Sequence, residues 1–230
     1  NVDADKAAKC KELRTDEVFD KDYRKCVGAQ ITGQDPNKVN LVTSDEQSIV
    51  LPADGTYSIN IGESEVDWIA TKLSGANHKG IVPISSGTIT VTNGQITAAN
   101  VVMDMANLAV TDLEGEDKGK LEGHLKSPDF FDVTNHAEAT YTFTSGTTVD
   151  NKIGAVGDLT IKGVSAPSNS QIVYSKNGEN GITIAGTLMF DRTTYDIRYG
   201  SDKFFDNLGD KVIKDNVMLK IKLKGISAGA

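Results

Sequence analysis

The feature that most constrains the fold is a two-residue alternation of apolar and polar side chains that begins near Gly55. Strands with one buried face show this period because successive side chains point to opposite sides. The run GTITVTNGQITAANVVMDM from Gly87 carries the alternation on both sides of Asn93-Gly94, the kind of dipeptide that best predicts a tight hairpin. We therefore predict a β-hairpin with Asn93 and Gly94 at its turn.

The same alternation recurs along most of the chain beyond Gly55. Val66 and Trp68 share one face of a predicted strand, and charged residues occupy the other face. Further strands are predicted at 138–145, 153–163, 170–175, 181–191 and 212–224. About eight strands at this spacing indicate an all-β sandwich or barrel.

Two regions that interrupt the strand pattern, 114–131 and 202–208, are predicted to be helical. Residues 114–125 are rich in helix formers and carry two leucines four residues apart, so they predict a short helix. The next segment, SPDFF at 127–131, begins like an N-capped helix with proline at its first position, which predicts a short helix ending in the two phenylalanines. The segment DKFFDNL at 202–208 repeats this pattern and predicts another helical turn.

Charge and hydropathy exclude two classes of function. The chain has 24 Lys plus Arg against 32 Asp plus Glu, a formal net charge of −8. Nucleic acids bind basic surfaces, so we expect no nucleic-acid partner. No window of about 20 apolar residues occurs, which excludes a transmembrane helix and predicts a soluble protein.

Residues 1–50 differ in composition from the rest and are predicted to form a separate extension. Residues 3–27 are rich in Ala, Lys, Glu and Asp and predict one or two short helices, followed by a linker. We predict that Cys10 and Cys26 form a disulfide within this extension; two free buried thiols are the alternative.

Motifs for catalysis and metal binding are missing from the sequence. The histidines His78, His124 and His136 stand apart from one another and from the cysteines, and no nucleophile elbow or phosphate-binding loop is found. We therefore expect no metal, no cofactor and no catalytic residue. The alternative is an enzyme that uses His124 or His136 with nearby carboxylates on a lipid-like substrate.

A closed barrel of about eight strands has an interior that is either filled by side chains or just wide enough for one slim ligand. Bulky or flexible residues at predicted inward positions fit both cases, and the sequence leaves the two open. These residues are Trp68, Met103, Met105, Tyr141, Phe143 and Phe190.

Three blocks of sequence resemble the YceI-like family of lipocalin-like, lipid-binding proteins. They are VMDMANLAVTDLEGEDKGKLEGHLKSPDFFDV from Val102, GDLTIKGVS from Gly157, and TLMFDRTTYDIRYGSDKFFDNLGDKVIKDN from Thr187, the last in a form similar to Bacteroidetes members. The likeness runs from about Tyr57 to Lys224. It implies an eight-stranded antiparallel lipocalin-like β-barrel over residues 51–230, with short helices at the barrel mouth.

The resemblance also implies a function. Family members enclose a long apolar tunnel, so we expect this chain to carry or store a polyisoprenoid, an isoprenoid quinone or a fatty-acid-like chain, without catalysis. The residues expected to line the tunnel are Val66, Trp68, Met103, Met105, Leu125, Phe130, Phe131, Tyr141, Phe143, Leu159, Ile161, Phe190, Tyr195, Phe204 and Phe205.

Export is common in the family, which implies a periplasmic or secreted protein, or a lipoprotein whose anchor has been removed. Membrane contact is then expected only as peripheral association or through that anchor, and a homodimer is left open. Residues 1–50 lie outside the resemblance and have no inherited role. A further alternative makes this extension a docking arm for a partner in the cell envelope.

Overall fold

The structure is a computed structural model that describes residues 50–227, and most of these residues form β-strands. The strands are β1 Gly55–Ile59, β2 Glu65–Thr71, β3 Asn77–Val82, β4 Ile84–Thr92, β5 Gln95–Asp104, β6 Ala109–Val110, β7 Glu138–Val149, β8 Lys152–Ile161, β9 Val164–Asn177, β10 Gly181–Asp191 and β11 Asn216–Ser227. The α-helix of the described range, α1, is Gly115–Lys126, and 3₁₀ turns occupy Ile61–Glu63, Arg192–Tyr195 and Gly209–Lys211. The predicted N-terminal helices and the predicted Cys10–Cys26 disulfide lie outside the described residues.

Eight strands close into an antiparallel barrel. Their order is β1-β4-β5-β7-β8-β9-β10-β11, and β11 pairs back with β1. At one end β2 replaces β1 as the neighbour of β11, and β3 pairs with β2 and with the short β6. The predicted all-β, lipocalin-like barrel is confirmed, and the sandwich is wrong.

The hairpin predicted at Asn93 and Gly94 is confirmed. Strand β4 ends at Thr92 and β5 begins at Gln95, so the turn has two residues. Both turn residues have positive φ, 53° at Asn93 and 70° at Gly94. Positive φ at both positions defines the type I′ turn, whose twist matches that of antiparallel strands.

The alternation along each strand decides which side chains fill the barrel. On β11, Val217, Leu219 and Leu223 are buried inside, whereas Lys220 and Lys222 between them are exposed on the outer surface. Burial of such side chains stabilises the fold by about 1.5–3 kcal/mol each. The buried cluster therefore occupies the barrel interior and spreads over all of its strands.

The helix predicted at 114–125 is confirmed as α1, but the short helix predicted to begin at Ser127 is wrong. Ser127 closes α1 instead of opening a new helix, because its N–H and its hydroxyl both donate to the His124 carbonyl, at 3.1 and 2.8 Å. The helical turn predicted at 202–208 is a single turn at its start, in which the N–H groups of Phe204 and Phe205 both donate to the Ser201 carbonyl. No helix in the described range is long and apolar enough to cross a membrane.

The two ends of the barrel are built differently. At the hairpin end, strands are joined by the short connections 93–94, 150–151 and 178–180. At the loop end, 105–137 joins β5 to β7 and contains α1, and 192–215 joins β10 to β11. The loop end therefore carries most of the irregular backbone of the barrel.

Candidate functional site

The barrel interior contains two narrow cavities, one behind the other. The inner chamber lies toward the hairpin end and has a volume of about 60 Å³. The outer chamber lies toward the loop end and has a volume of about 70 Å³. Nearly all lining side chains are apolar; the polar exceptions are Tyr141 and Ser170 in the inner chamber and Arg192 in the outer chamber.

Three side chains line both chambers and form a waist between them. They are Met103 on β5, Leu159 on β8 and Leu219 on β11. Methionine is unbranched and changes rotamer readily, so Met103 is the member of the waist best able to yield to a ligand. The two chambers are therefore neighbouring cavities separated by this waist, and together we call them the channel.

The channel is closed at the hairpin end. Tyr57 and Tyr174 are both almost fully buried there. Their hydroxyls donate to the carbonyls of Ala53, at 2.6 Å, and of Gly94, at 3.0 Å. Burial raises the pKa of both phenols, so they stay protonated donors at neutral pH.

The outer chamber is covered at the loop end by the end of α1 and the turn that follows it. Leu125, Phe130 and Phe131 line the chamber from this side. The His124 ring packs edge-on between Phe130 and Tyr199, with ring centroids 5.0 and 4.5 Å apart. Tyr199 is 46% exposed. This cover is thus held by side-chain contacts between two long connections, not by strand pairing.

Arg192 organises the connection from β10 to β11. Its side chain is buried, and its N–H groups donate to the carbonyls of Ile197, Tyr199, Ile213 and Lys214 and to the Asp215 carboxylate. Burial lowers the pKa of this guanidinium and the charge of Asp215 opposes the shift. All five donors of the side chain are used. Arg192 therefore holds the loop end together and has no donor left for an anionic ligand.

Among the described residues, the Trp68 Nε1 is the one buried side-chain nitrogen or oxygen atom that neither donates nor accepts a hydrogen bond. Its indole lines the outer chamber and lies against Gly80 of β3. A buried donor left unpaired costs about 1–3 kcal/mol. The large apolar ring area that Trp68 brings to the chamber wall offsets that cost.

Most residues predicted to line a tunnel lie on the chamber walls. Those on the inner chamber are Val66, Tyr141 and Phe143, and those at the waist are Met103 and Leu159. Those on the outer chamber are Trp68, Met105, Leu125, Phe130, Phe131, Ile161 and Phe190. Contact between these side chains and a ligand stays a prediction.

Three of the predicted lining residues lie elsewhere. Tyr195 is buried behind Phe190, with the two rings edge-on at 5.6 Å, and lines neither chamber. Phe204 and Phe205 are 44% and 49% exposed, because the turn at Ser201 directs them outward. The Phe204 ring lies under the Arg198 guanidinium, 4.9 Å from the ring centroid.

Sequence reasoning missed several wall residues. Leu219 and Leu223 alternate along β11 and could have been found by extending the inward pattern. Ser170 gave no signal, because a serine in a strand is ordinarily a surface residue. The sequence did not indicate the role of Arg192 either, because its carbonyl partners lie as far along the chain as Ile213 and Lys214.

The histidines lie at separate places. His78 pairs with Asp112 at 2.9 Å, and His124 is 3.7 Å from Asp129. Burial tends to raise the pKa of Asp112, but hydrogen bonds from the Lys79 N–H and from His78 outweigh it and hold that pKa below its ordinary value. Within residues 50–227, no three His, Cys, Asp or Glu side chains are grouped as metal ligands would be.

Comparison with known proteins identifies relatives of this barrel. The profile of the YceI-like domain matches residues 57–225. BcnA of Burkholderia cenocepacia has 19% identical residues and a TM-score of 0.60, over 72% of this chain and 98% of BcnA. A polyisoprenoid binding domain from Saccharophagus degradans, implicated in plant cell wall breakdown, has 16% identity and a TM-score of 0.58, over 74% of this chain and 98% of that domain. Among curated proteins no significant match is found. These two structures share the fold, and by the profile match the chain belongs to the YceI-like family.

Proposed function

We propose that the protein binds a long apolar chain of the isoprenoid or lipid type in the channel, and carries or stores it without chemical change. The observation that carries this proposal is the pair of consecutive chambers with apolar walls. Protein interiors are close-packed, and unfilled cavities cost stability. The shared fold of a polyisoprenoid binding domain supports the same ligand class.

Affinity for such a ligand comes from removing apolar surface from water. Each methylene that moves from water into the channel contributes about 0.8 kcal/mol, before the entropy lost on binding is subtracted. The channel offers no free counter-charge, because the guanidinium of Arg192 is paired with Asp215 and its donors are already used. Affinity is therefore expected to follow the number of carbons that fit inside.

The loop end is the expected route of access. Tyr57 and Tyr174 close the opposite end through hydrogen bonds to backbone carbonyls. The cover contains His124, Phe130 and Tyr199, whose ring contacts separate without breaking any strand pairing. A chain that enters here reaches the outer chamber first and then passes the waist.

The direct experiment is native mass spectrometry of the full-length protein, followed by organic extraction and identification of what was bound. The expected result is one long-chain apolar molecule per protein, recovered unmodified. A protein that carries nothing, and takes up no added polyisoprenoid after extraction, would contradict the proposal.

A matched pair of variants tests the location. Leu159 is fully buried at the waist, whereas Val156 lies on the outward face of the same strand and is 36% exposed. Leu159→Phe is expected to narrow the channel and to lower the amount or length of the retained chain, at a stability cost of about 1–3 kcal/mol. Val156→Phe is expected to retain the ligand as the unmodified protein does. Equal retention by both variants would place the ligand outside the channel.

A further inference from the structure

Two hydroxyl groups face each other inside the otherwise apolar inner chamber. Tyr141 on β7 and Ser170 on β9 both line it. The Tyr141 Oη and the Ser170 Oγ are 3.5 Å apart, and this is the one hydrogen bond that either side chain makes within residues 50–227. A well-formed O–H···O bond is shorter, about 2.7–2.8 Å. The pair is therefore held close but only weakly satisfied.

The intervening strand makes room for this pair. On β8, Gly157 lies beside Tyr141: a Cβ at Gly157 would stand 2.6 Å from the Tyr141 hydroxyl oxygen. Ala155, also on β8, is the neighbour of Ser170 across the β8–β9 pairing. Small residues at both positions let the Tyr141 ring fold across β8 toward Ser170. The hydroxyl position is thus determined by packing.

One of the two hydroxyl protons of Tyr141 and Ser170 has no hydrogen-bond acceptor in the part of the chain that the structure describes. Each hydroxyl has one donor and two acceptor lone pairs. In the bond between Tyr141 and Ser170 only one hydroxyl donates, so the other O–H has no acceptor among the described residues. Ser170 is 4% exposed, so bulk water does not reach its hydroxyl, whereas Tyr141 is partly buried. An oxygen atom on a bound ligand would supply the missing acceptor.

The surroundings of the pair select an uncharged ligand group. No Asp, Glu, Lys, Arg or His lines the inner chamber. A carboxylate or phosphate placed there would lose its hydration without gaining a counter-charge, which is strongly unfavourable. Burial also raises the pKa of Tyr141, so the phenol remains a neutral donor.

We propose that Tyr141 and Ser170 form the head-group site of the channel, and that they bind one uncharged carbonyl or hydroxyl oxygen at the end of the apolar chain. The chain then lies head inward, with its tail passing Met103 at the waist into the outer chamber. This inference rests on the proposed binding of an apolar chain. It selects neutral isoprenoid or lipid alcohols, amides and quinones over free acids and phosphorylated chains.

The test uses the full-length protein after organic extraction and three probes with one isoprenoid chain: geranylgeraniol, geranylgeranic acid ionised at neutral pH, and the hydrocarbon that lacks the oxygen. Binding is measured by displacement of a fluorescent apolar probe. The alcohol is expected to bind up to about tenfold more tightly than the hydrocarbon, the value of one buried hydrogen bond. The acid is expected to bind more weakly than the alcohol.

The double variant Tyr141→Phe with Ser170→Ala should remove the preference for the alcohol, so that the alcohol and the hydrocarbon bind this variant with equal affinity. Tyr174→Phe is the matched control, because its hydroxyl donates to Gly94 at the hairpin end, so that variant should keep the preference. A preference that survives in the double variant, or an acid that binds as tightly as the alcohol, would overturn the head-group site alone. Failure of every probe, the hydrocarbon included, to bind the unmodified protein would overturn the proposed function with it.

Discussion

The hairpin end and the loop end of the barrel are held by different kinds of interaction. At the hairpin end, backbone pairing continues to the tight turn at Asn93 and Gly94, and two buried tyrosines bond to backbone carbonyls. At the loop end, long connections depend on side chains, chiefly Arg192 and the rings around His124. Only the loop end can therefore separate without breaking strand pairing, which fits the proposed entry of a ligand from that side.

Arg192→Ala should give the largest loss of stability, and it should destabilise the loop end more than the hairpin end. It removes the donors that satisfy the carbonyls of Ile197, Tyr199 and Ile213, and it leaves Asp215 with only the half-exposed Lys203 as its partner. The expected loss is about 3–5 kcal/mol in the free energy of unfolding, measured by urea denaturation.

Hydrogen exchange should show which residues lose stability in the Arg192→Ala variant. Faster exchange is expected over residues 196–215, while the strands near Gly94 keep their protection. Arg198→Ala, which removes an exposed arginine paired with Asp196, should cost less than about 1 kcal/mol. Equal losses from the two variants would mean that Arg192 does not organise the loop end.

Gly94→Ala should weaken the hairpin end. Its φ of 70° is unfavourable for any residue with a Cβ, and the new Cβ would stand 3.1 Å from the Leu51 side chain. We expect a loss of about 1–2 kcal/mol in the free energy of unfolding, with ligand exchange unchanged.

Gly119→Ala is the opposite-sign control for that variant. Gly119 lies within α1, where a Cβ meets nothing within 4 Å. Alanine is a better helix former than glycine, so stability should rise by about 0.5–1 kcal/mol. A loss at Gly119 comparable to the loss at Gly94 would show that turn geometry is not what the hairpin end depends on.

Tyr199→Ala tests whether the cover at the loop end controls the rate of ligand release. It removes a half-exposed ring that packs on His124 and Phe130 at 4.5 and 5.5 Å. The stability loss should be about 0.5–1.5 kcal/mol, while release of a bound chain, followed by fluorescence in a stopped-flow instrument, should become faster. Unchanged release would mean that the ligand does not leave through this cover.

A fall to acidic pH should give the smallest loss of stability, and that loss should occur at the loop end. Burial tends to raise the pKa of Asp191, but hydrogen bonds from Lys203 and Thr193 outweigh it, so that pKa, like that of Asp112, lies below the ordinary value of 3.8. The folded state therefore gains stability from these carboxylates above that pH, and loses it as the pH falls through their folded pKa values.

The expected observation is increased hydrogen exchange near Asp112 and Asp191 below about pH 4, the unfolded pKa of aspartate. The double variant Asp112→Asn with Asp191→Asn should lower stability at neutral pH and remove most of this acid dependence. An acid response that is unchanged in the double variant would assign it to other groups.

Sequence predicted the hairpin end better than the loop end, for a physical reason. Turn geometry at Asn93-Gly94 and inward positions such as Val66 and Tyr141 depend on near neighbours in the sequence. Ser127 followed by Pro128 fits the start of a helix as well as the residue after one, and the preceding α1 decides between them.

The exposed positions of Phe204 and Phe205 and the role of Arg192 depend on contacts formed only in the folded chain. Arg192 bonds to carbonyls on both sides of the turn at Ser201, and that loop leaves the two phenylalanines on its outer surface. Adjacent aromatic residues in sequence gave no indication of that direction. The apolar walls of the channel could be predicted from the inward positions along the strands. The pairing of Tyr141 with Ser170 and the cover at the loop end could not.

The closure of the barrel has a consequence for the order of events during synthesis. Strand β11 fills the gap between β10 and the earliest strands, and its partners Tyr57 and Ser58 are translated long before Ser227 and Ile226. Until β11 emerges from the ribosome, the two chambers have no complete wall. Pairing of such distant segments is slow to form. We therefore expect the proposed ligand to enter a finished barrel after translation, and not to be enclosed while the chain is still being made.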